Sequence, residues 1–111
     1  MQLKPRMAAA AQFHVLLIRA WIRSVEPVRA ALQRVGLDVH ISRVDLEPAL
    51  HAALTRRAFD LILHDPDVPG LSRELVELRL REHRHAAPLV SISGFAQLGI
   101  AVLDALARLK N

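Results

Sequence analysis

The sequence predicts one α/β domain built around a parallel sheet. A chain of 111 residues is long enough for a single hydrophobic core and short for two. Apolar segments of strand length alternate with longer segments in which apolar residues recur at helical spacing. Strands that alternate with helices form βαβ units. We count four such units without a repeat or linker and expect three layers with right-handed crossovers.

The first unit begins at residues 13–18, an apolar segment with the length of a buried strand. Apolar residues then recur at intervals of three and four, which predicts an amphipathic helix. We expect Ser24 or Glu26 to cap this helix and Gly36 to end it. Its predicted apolar face consists of Val28, Ala31, Leu32 and Val35.

The second unit shows the alternation of a strand, followed by the three- and four-residue spacing of a helix. Apolar and polar residues alternate over residues 37–42, which is typical of a strand. Asp45 is the predicted N-cap of the next helix, and Arg56 and Arg57 lie near its C-terminal end, where cations interact favourably with the helix dipole. The predicted apolar face is Leu46, Ala49, Leu50, Ala53 and Leu54.

The third unit has a strand at residues 59–63, a loop rich in Asp, Pro and Gly, and a helix from a Ser72 cap to Arg84. The fourth has a strand at residues 89–93, ended by Gly94, and a helix over residues 96–109. The predicted apolar faces are Leu75, Val76, Leu78 and Leu80 in the third helix and Leu98, Ala101, Val102, Ala105 and Leu109 in the last.

This architecture predicts where a functional site lies. In an open parallel α/β sheet, ligands bind beyond the carboxyl ends of the strands. Those ends carry Arg19 and Ala20 after the first strand, Asp65 after the third, and Ser93 with Gly94 after the fourth.

Composition excludes several classes of function. The chain has no cysteine, so disulfides, thiolate metal sites and cysteine nucleophiles are absent. No apolar run approaches the ~20 residues that span a bilayer, and we expect a cytoplasmic protein without membrane contact. The formal net charge is +4, which fits an arginine-rich solvated surface, and we do not expect nucleic-acid binding.

Two motifs resemble a known family. The segment FDLILHDPDVPGLS at residues 59–72 resembles the third strand and following loop of response-regulator receiver domains. There, an aspartate ends the strand and a Pro-Gly pair follows four and five residues later, as Pro69 and Gly70 follow Asp65. PLVSISG at residues 88–94 is similar to the fourth strand, which ends in a signalling hydroxyl at the position of Ser93.

The resemblance covers most of the chain and implies a flavodoxin-like sheet of order 2-1-3-4. It also implies chemistry: the aspartate accepts a phosphoryl group from a histidine kinase, with a divalent cation held by an acidic pair after strand one. Asp65 would be the acceptor and Ser93 the switch hydroxyl. The sequence departs from the family at the acidic pair, because Arg19 and Ala20 stand there.

A cation beside a lone carboxylate repels a metal, so we expect weak or absent Mg²⁺ binding and no cofactor. We hypothesise instead that Arg19 forms a bidentate ion pair with Asp65 in the space of the metal. The other interpretation of Asp65 is a strand-end aspartate that accepts loop N–H groups in an Asx-turn.

The second departure is the ending: Lys110 directly follows a predicted helix, so we expect the fifth βα unit of the family to be missing. We therefore divide the chain into an N-terminal extension, residues 1–12, and a truncated receiver-like domain, residues 13–111. Strand four becomes an edge, and apolar surface normally covered by a fifth helix would be open. A homodimer through strand four, exchange of the C-terminal helix, or a fragment of a longer chain would each account for this.

These observations predict a non-enzymatic pseudo-receiver module of signal transduction that acts through protein partners. A histidine kinase or another signalling protein is the partner that we expect. The alternatives are a phospho-accepting receiver that uses Asp65, and a structural or assembly module that kept only the fold. Trp21, in the loop after strand one, is either an exposed anchor for a partner or a partly buried loop residue.

Two other groups of residues could form a catalytic or metal site, but their spacing disfavours both. His64, Asp65 and Ser93 suggest a hydrolase triad, but adjacent strand residues point to opposite faces and no G-x-S-x-G elbow is present. His83 and His85 are two apart, a spacing that turns side chains of a helix away from each other and disfavours a metal site.

Overall fold

The computed structural model describes residues 13–109, and the predicted extension at residues 1–12 and Lys110 lie outside this range. Four strands form one parallel sheet in the order β2-β1-β3-β4. Their bounds are Phe13–Ile18 for β1, Val39–Val44 for β2, Leu61–His64 for β3 and Leu89–Ser91 for β4. The predicted sheet order is confirmed.

Four helices connect or follow the strands. They are α1 at Glu26–Arg34, α2 at Glu47–Arg56, α3 at Arg73–Glu82 and α4 at Leu98–Leu109. The predicted Ser72 cap of α3 is confirmed, because its side chain accepts a hydrogen bond from the Leu75 N–H at 3.2 Å.

One of the other predicted caps is partly confirmed and one is wrong. Val25 is the N-cap residue of α1, but the predicted Ser24 hydroxyl accepts the Glu26 N–H at 3.1 Å at the start of this helix. Leu46, and not Asp45, occupies the N-cap position of α2, which has no side-chain cap. Asp45 instead accepts a hydrogen bond from the Trp21 N–H at 3.3 Å. Each helix has a proline in its first turn, which removes one of the N–H groups that a cap would otherwise satisfy.

Strand and helix boundaries also differ from the prediction. The strand predicted at 37–42 begins at Val39, because Leu37 closes the end of α1 by donating its N–H to Leu32. The strands predicted at 59–63 and 89–93 become β3 and β4, and pairing with β1 from Val15 opposite Leu61 sets the start of β3. The helices predicted to end at Arg84 and to begin at 96 are shorter.

The sheet separates two apolar clusters. On one face α1 and α4 pack against the sheet, and on the other α2 and α3 do so. Since α1 joins β1 to β2 in one direction while α2 and α3 lead the chain in the opposite direction, crossovers of one hand place them on opposite faces. The three-layer fold is confirmed.

The position of α4 corrects one prediction. A crossover toward a fifth strand would keep the chain on the face of α2 and α3, yet α4 lies on the face of α1. The surface predicted to be open is therefore covered. Gly99 makes this possible, because a Cβ there would lie 2.7 Å from a methyl group of Val35 and 2.9 Å from the carbonyl oxygen of Ala31.

The buried faces are narrower than predicted. Leu98 and Val102 of α4 are buried, while Leu109 is 58% exposed. Leu46 and Leu78, also predicted to be inward, are exposed as well. A helix that packs on a sheet buries only the side chains of its inward stripe, and Leu46 lies just before α2 as its N-cap residue.

The strand β4 is an edge of the sheet, as predicted, and Arg73 covers part of it. Its guanidinium donates to the Leu89 carbonyl at 3.3 Å and to the Ser91 hydroxyl at 2.6 Å. An edge carbonyl with an intramolecular donor is a weaker template for another strand. Among residues 13–109, no helix has the length and apolar character needed to cross a membrane.

Candidate functional site

The predicted site forms at the carboxyl ends of β1, β3 and β4. Parallel pairing brings Arg19 next to Asp65, because Ile18 at the end of β1 accepts a hydrogen bond from the Asp65 N–H at 2.9 Å. A shallow cavity of about 330 Å³ opens there. Arg19, Asp65 and Ser93 all line it, so the fold brings together the three strand ends that the sequence identified.

The predicted ion pair between Arg19 and Asp65 is present. Arg19 Nη1 lies 2.9 Å from Asp65 Oδ2, and the two side chains are 7% and 5% exposed. The contact is not the bidentate one expected, because Arg19 Nε donates to the Ser24 carbonyl at 2.9 Å. The guanidinium thus joins the β1–α1 loop to the end of β3.

The second carboxylate oxygen of Asp65 is also engaged. Asp65 Oδ1 accepts a hydrogen bond from the Asp67 N–H at 3.0 Å, which forms the Asx-turn of the other interpretation. Both interpretations of Asp65 hold, one for each oxygen. The carboxylate therefore has a cationic partner and a backbone donor, and it is 3% exposed as a residue.

Two further side chains belong to the site. Arg23 Nη2 lies 3.3 Å from Asp67 Oδ2, and Arg23 Nη1 lies 3.9 Å from Asp65 Oδ2. The Arg19 guanidinium carbon lies 5.4 Å from the centroid of the Phe95 ring. Sequence reasoning missed both, since Arg23 reaches the site through a turn that Ala20 forms by accepting its N–H at 3.0 Å.

The remaining predicted residues lie at the rim. Ser93 is exposed and shares the cavity with Asp65. Pro69 and Gly70 are exposed in the loop after β3, and Gly70 has a φ of +79°, a conformation that favours glycine. Ala20 is half-buried beside Arg19.

The residues at this site do not fit the divalent cation that the family resemblance implies. Such a cation takes several oxygen ligands, usually carboxylates. Here the Arg19 guanidinium contacts Asp65 Oδ2 at 2.9 Å, and Arg23 adds a second positive charge within 4 Å of the same oxygen. Within the described range, no group of three or more His, Cys, Asp or Glu side chains is arranged to hold a metal.

The side chains of the suggested hydrolase triad and of the suggested histidine metal site have other partners. The buried His64 ring contacts the Leu71 carbonyl through Nε2 at 2.7 Å, whereas Asp65 contacts Arg19, so the triad geometry is not formed. His83 lies 3.1 Å from a ring nitrogen of His51, and His85 accepts the Phe59 N–H.

The loop after β1 exposes apolar side chains beside the site. Trp21 is 63% exposed and Ile22 is 93% exposed, so the partly buried alternative for Trp21 is wrong. The Arg43 guanidinium carbon lies 4.2 Å from the centroid of the Trp21 ring, a cation–π contact on one face of the indole.

Comparison with solved structures shows a likeness to a signalling protein. A solved structure described as a transiently phosphorylated "switch" in bacterial signal transduction is similar to this chain, with 16% sequence identity and a TM-score of 0.61. The match covers 90% of this chain and 99% of the other. No family model matches the sequence, and no curated protein matches it significantly. At this identity the likeness shows the fold alone: the chain has a flavodoxin-like α/β fold.

Proposed function

We propose that this chain is a receiver-like signalling module that acts through protein–protein contact, without metal-dependent phosphorylation of Asp65. One observation carries the proposal: the buried contact of 2.9 Å between Arg19 Nη1 and Asp65 Oδ2. It puts a permanent cation where phosphotransfer would need an exchangeable metal. The module is non-enzymatic and uses no cofactor.

The surroundings of Asp65 support this assignment. A carboxylate that attacks a phosphoryl group must present a free oxygen, and a divalent cation must neutralise the charge that develops. Asp65 is 3% exposed, and its two oxygens are bound by Arg19 and by the Asp67 N–H. A phosphoryl donor would have to displace one of these contacts.

The phospho-accepting receiver remains the second candidate, because Ser93 lines the same cavity as Asp65. Incubation with acetyl phosphate and Mg²⁺, followed by intact-mass measurement, separates the two. We expect no mass gain, and no Mg²⁺ binding by calorimetry at millimolar metal. A phosphoryl adduct on the wild type that is absent from Asp65→Asn would overturn the proposal.

The exposed Trp21 and Ile22 supply the proposed contact surface. Tryptophan is enriched among the residues that contribute most to binding at protein interfaces, and the Arg43 guanidinium supports one face of the exposed Trp21 ring. The proposed partner is a histidine kinase or another signalling protein in the cytoplasm.

Affinity capture separates signalling from a purely structural role. The chain with Trp21→Ser and Ile22→Ser should lose a partner that the wild type retains. Leu109→Ser is the matched control, because Leu109 is similarly exposed at 58% but lies at the end of α4. Equal loss in the control, or equal retention in the double variant, would contradict the proposed surface.

Self-association is a separate proposal, since β4 is an edge and α4 exposes Ile100 and Leu103. Sedimentation at increasing concentration tests it. A monomer at all concentrations would eliminate the homodimer and leave the proposed contact with other proteins in place.

A further inference from the structure

A larger cavity lies away from the strand ends, between β2 and α2. Its volume is about 530 Å³, within the range of about 300–1,000 Å³ that is usual for small-molecule sites. We call it the β2–α2 groove. On the α2 side its wall consists of Ala49, Ala52 and Ala53, and the small side chains leave a slot beside Val44 of β2.

The groove is strongly basic. Arg43, Arg56 and Arg57 line it, and no Asp or Glu is among its lining residues. None of the three forms an ion pair with a carboxylate of residues 13–109. Elsewhere in that range, six arginines do: Arg19, Arg23, Arg29, Arg73, Arg79 and Arg108.

Two of these arginines are positioned by other contacts. Arg57 Nη1 contacts the ring of His14, and Arg43 donates through Nη1 to the Arg23 carbonyl. Arg43 Nε is buried without a hydrogen-bond partner among the described residues. This N–H has almost no accessible surface, and side-chain alternation along β2 directs Arg43 to the face opposite Val44 and α2. Arg56 and Arg57 are exposed, so they are the arginines that a ligand in the groove can reach.

We propose that the β2–α2 groove binds a small phosphorylated molecule with a flat apolar part, of the nucleoside-phosphate class. Guanidinium groups recognise phosphate oxygens through paired, charge-assisted hydrogen bonds, and Arg56 and Arg57 have no competing carboxylate. The alanine wall accepts a planar ring. This site does not depend on the function proposed for Asp65, because the two share no residue.

Isothermal titration calorimetry gives the affinities. AMP and ADP are the probes, with adenosine and pyrophosphate as their separate halves. We expect ADP to bind more tightly than either half.

Two double variants test the charge. Arg56→Gln with Arg57→Gln should weaken ADP binding at least about tenfold, the effect of losing one charge-assisted hydrogen bond. Arg34→Gln with Arg81→Gln removes the same charge from exposed arginines outside the groove and should change the affinity less than twofold. Equal weakening by both would show non-specific attraction and overturn the site.

A third variant tests the slot. Ala52→Leu fills the alanine wall with a residue of high helix propensity, and it should weaken ADP while pyrophosphate binding is unchanged. Pyrophosphate binding as tightly as ADP to the wild type would overturn the proposal, as would absence of ADP binding at millimolar concentration. So would binding of a single-stranded oligonucleotide, steeply dependent on salt, without binding of ADP.

Discussion

Arginine has opposite roles at the two basic regions of this molecule. At the carboxyl ends of the strands, Arg19 is buried and its charge is matched by Asp65 at 2.9 Å. In the β2–α2 groove, Arg56 and Arg57 are exposed and have no carboxylate partner among residues 13–109. The comparison shows that an arginine's neighbours, rather than the total charge of +4, decide whether it stabilises the fold or is available to a ligand.

The largest expected effect comes from breaking the buried pair. Asp65→Asn removes the negative charge and leaves the Arg19 guanidinium buried without a counter-charge. Loss of one partner of a buried ion pair costs about 3–5 kcal/mol. We expect the free energy of unfolding, measured by urea denaturation, to fall by this amount.

The control is Asp67→Asn, which breaks the neighbouring ion pair with Arg23. Asp67 is 67% exposed, and exposed ion pairs contribute about 0–1 kcal/mol. If both substitutions lowered the free energy of unfolding equally, burial would not explain the contribution of the Arg19–Asp65 pair.

A second prediction removes both charges together. Arg19→Met with Asp65→Leu replaces the buried pair by apolar side chains, which is often neutral or stabilising. We expect the double variant to recover most of the stability that Asp65→Asn loses, as measured by the same denaturation. A double variant as unstable as Asp65→Asn would show that the backbone contacts of these side chains, and not their charges, hold the site together.

Next in size is a pH effect near the groove. Burial, followed by the charge of His83, lowers the pKa of His85 below its usual value of 6.5. The unfolded chain therefore takes up this proton first as the pH falls. The contribution of His85 is present above pH 6.5 and is lost as the pH falls through its lower folded pKa.

Denaturation at pH 7.5 and 5.5 should show a smaller loss of stability in His85→Gln than in the wild type. The glutamine oxygen can accept the hydrogen bond that His85 Nε2 accepts from the Phe59 N–H at 3.1 Å. An identical pH dependence in the two proteins would contradict this role of His85.

The smallest effect is expected for an arginine of the groove. Arg56→Gln removes an exposed charge that forms no ion pair in the described chain, so the free energy of unfolding should change by less than about 0.5 kcal/mol. A large loss of stability would show that Arg56 is structural and would weaken the contrast between the two regions.

The sequence predicted the parallel sheet, its order and the Arg19–Asp65 contact, because these depend on hydrophobic periodicity and on residues at strand ends. It did not predict that α4 packs against α1. That arrangement depends on Gly99 facing Val35, a close approach between helices that are distant in sequence.

Helix caps and side-chain partners were harder to predict. Aspartate is a common N-cap residue, but the Asp45 carboxylate accepts a hydrogen bond from the Trp21 N–H of another loop. Arg23 and Phe95 reach the site through loop geometry that no local pattern encodes. Contacts between loops depend on the completed fold, whereas strand ends are determined by the strands themselves.

The hydrogen bond from His64 to the Leu71 carbonyl has a consequence for recognition. With the contact between Asp65 and the Asp67 N–H, it ties both ends of the loop after β3, and Val68 anchors its middle in the core. The conformational entropy of this loop is lost during folding rather than at the moment of binding. A partner that docks against it therefore meets a rigid surface, and its affinity is not reduced by the cost of ordering the loop.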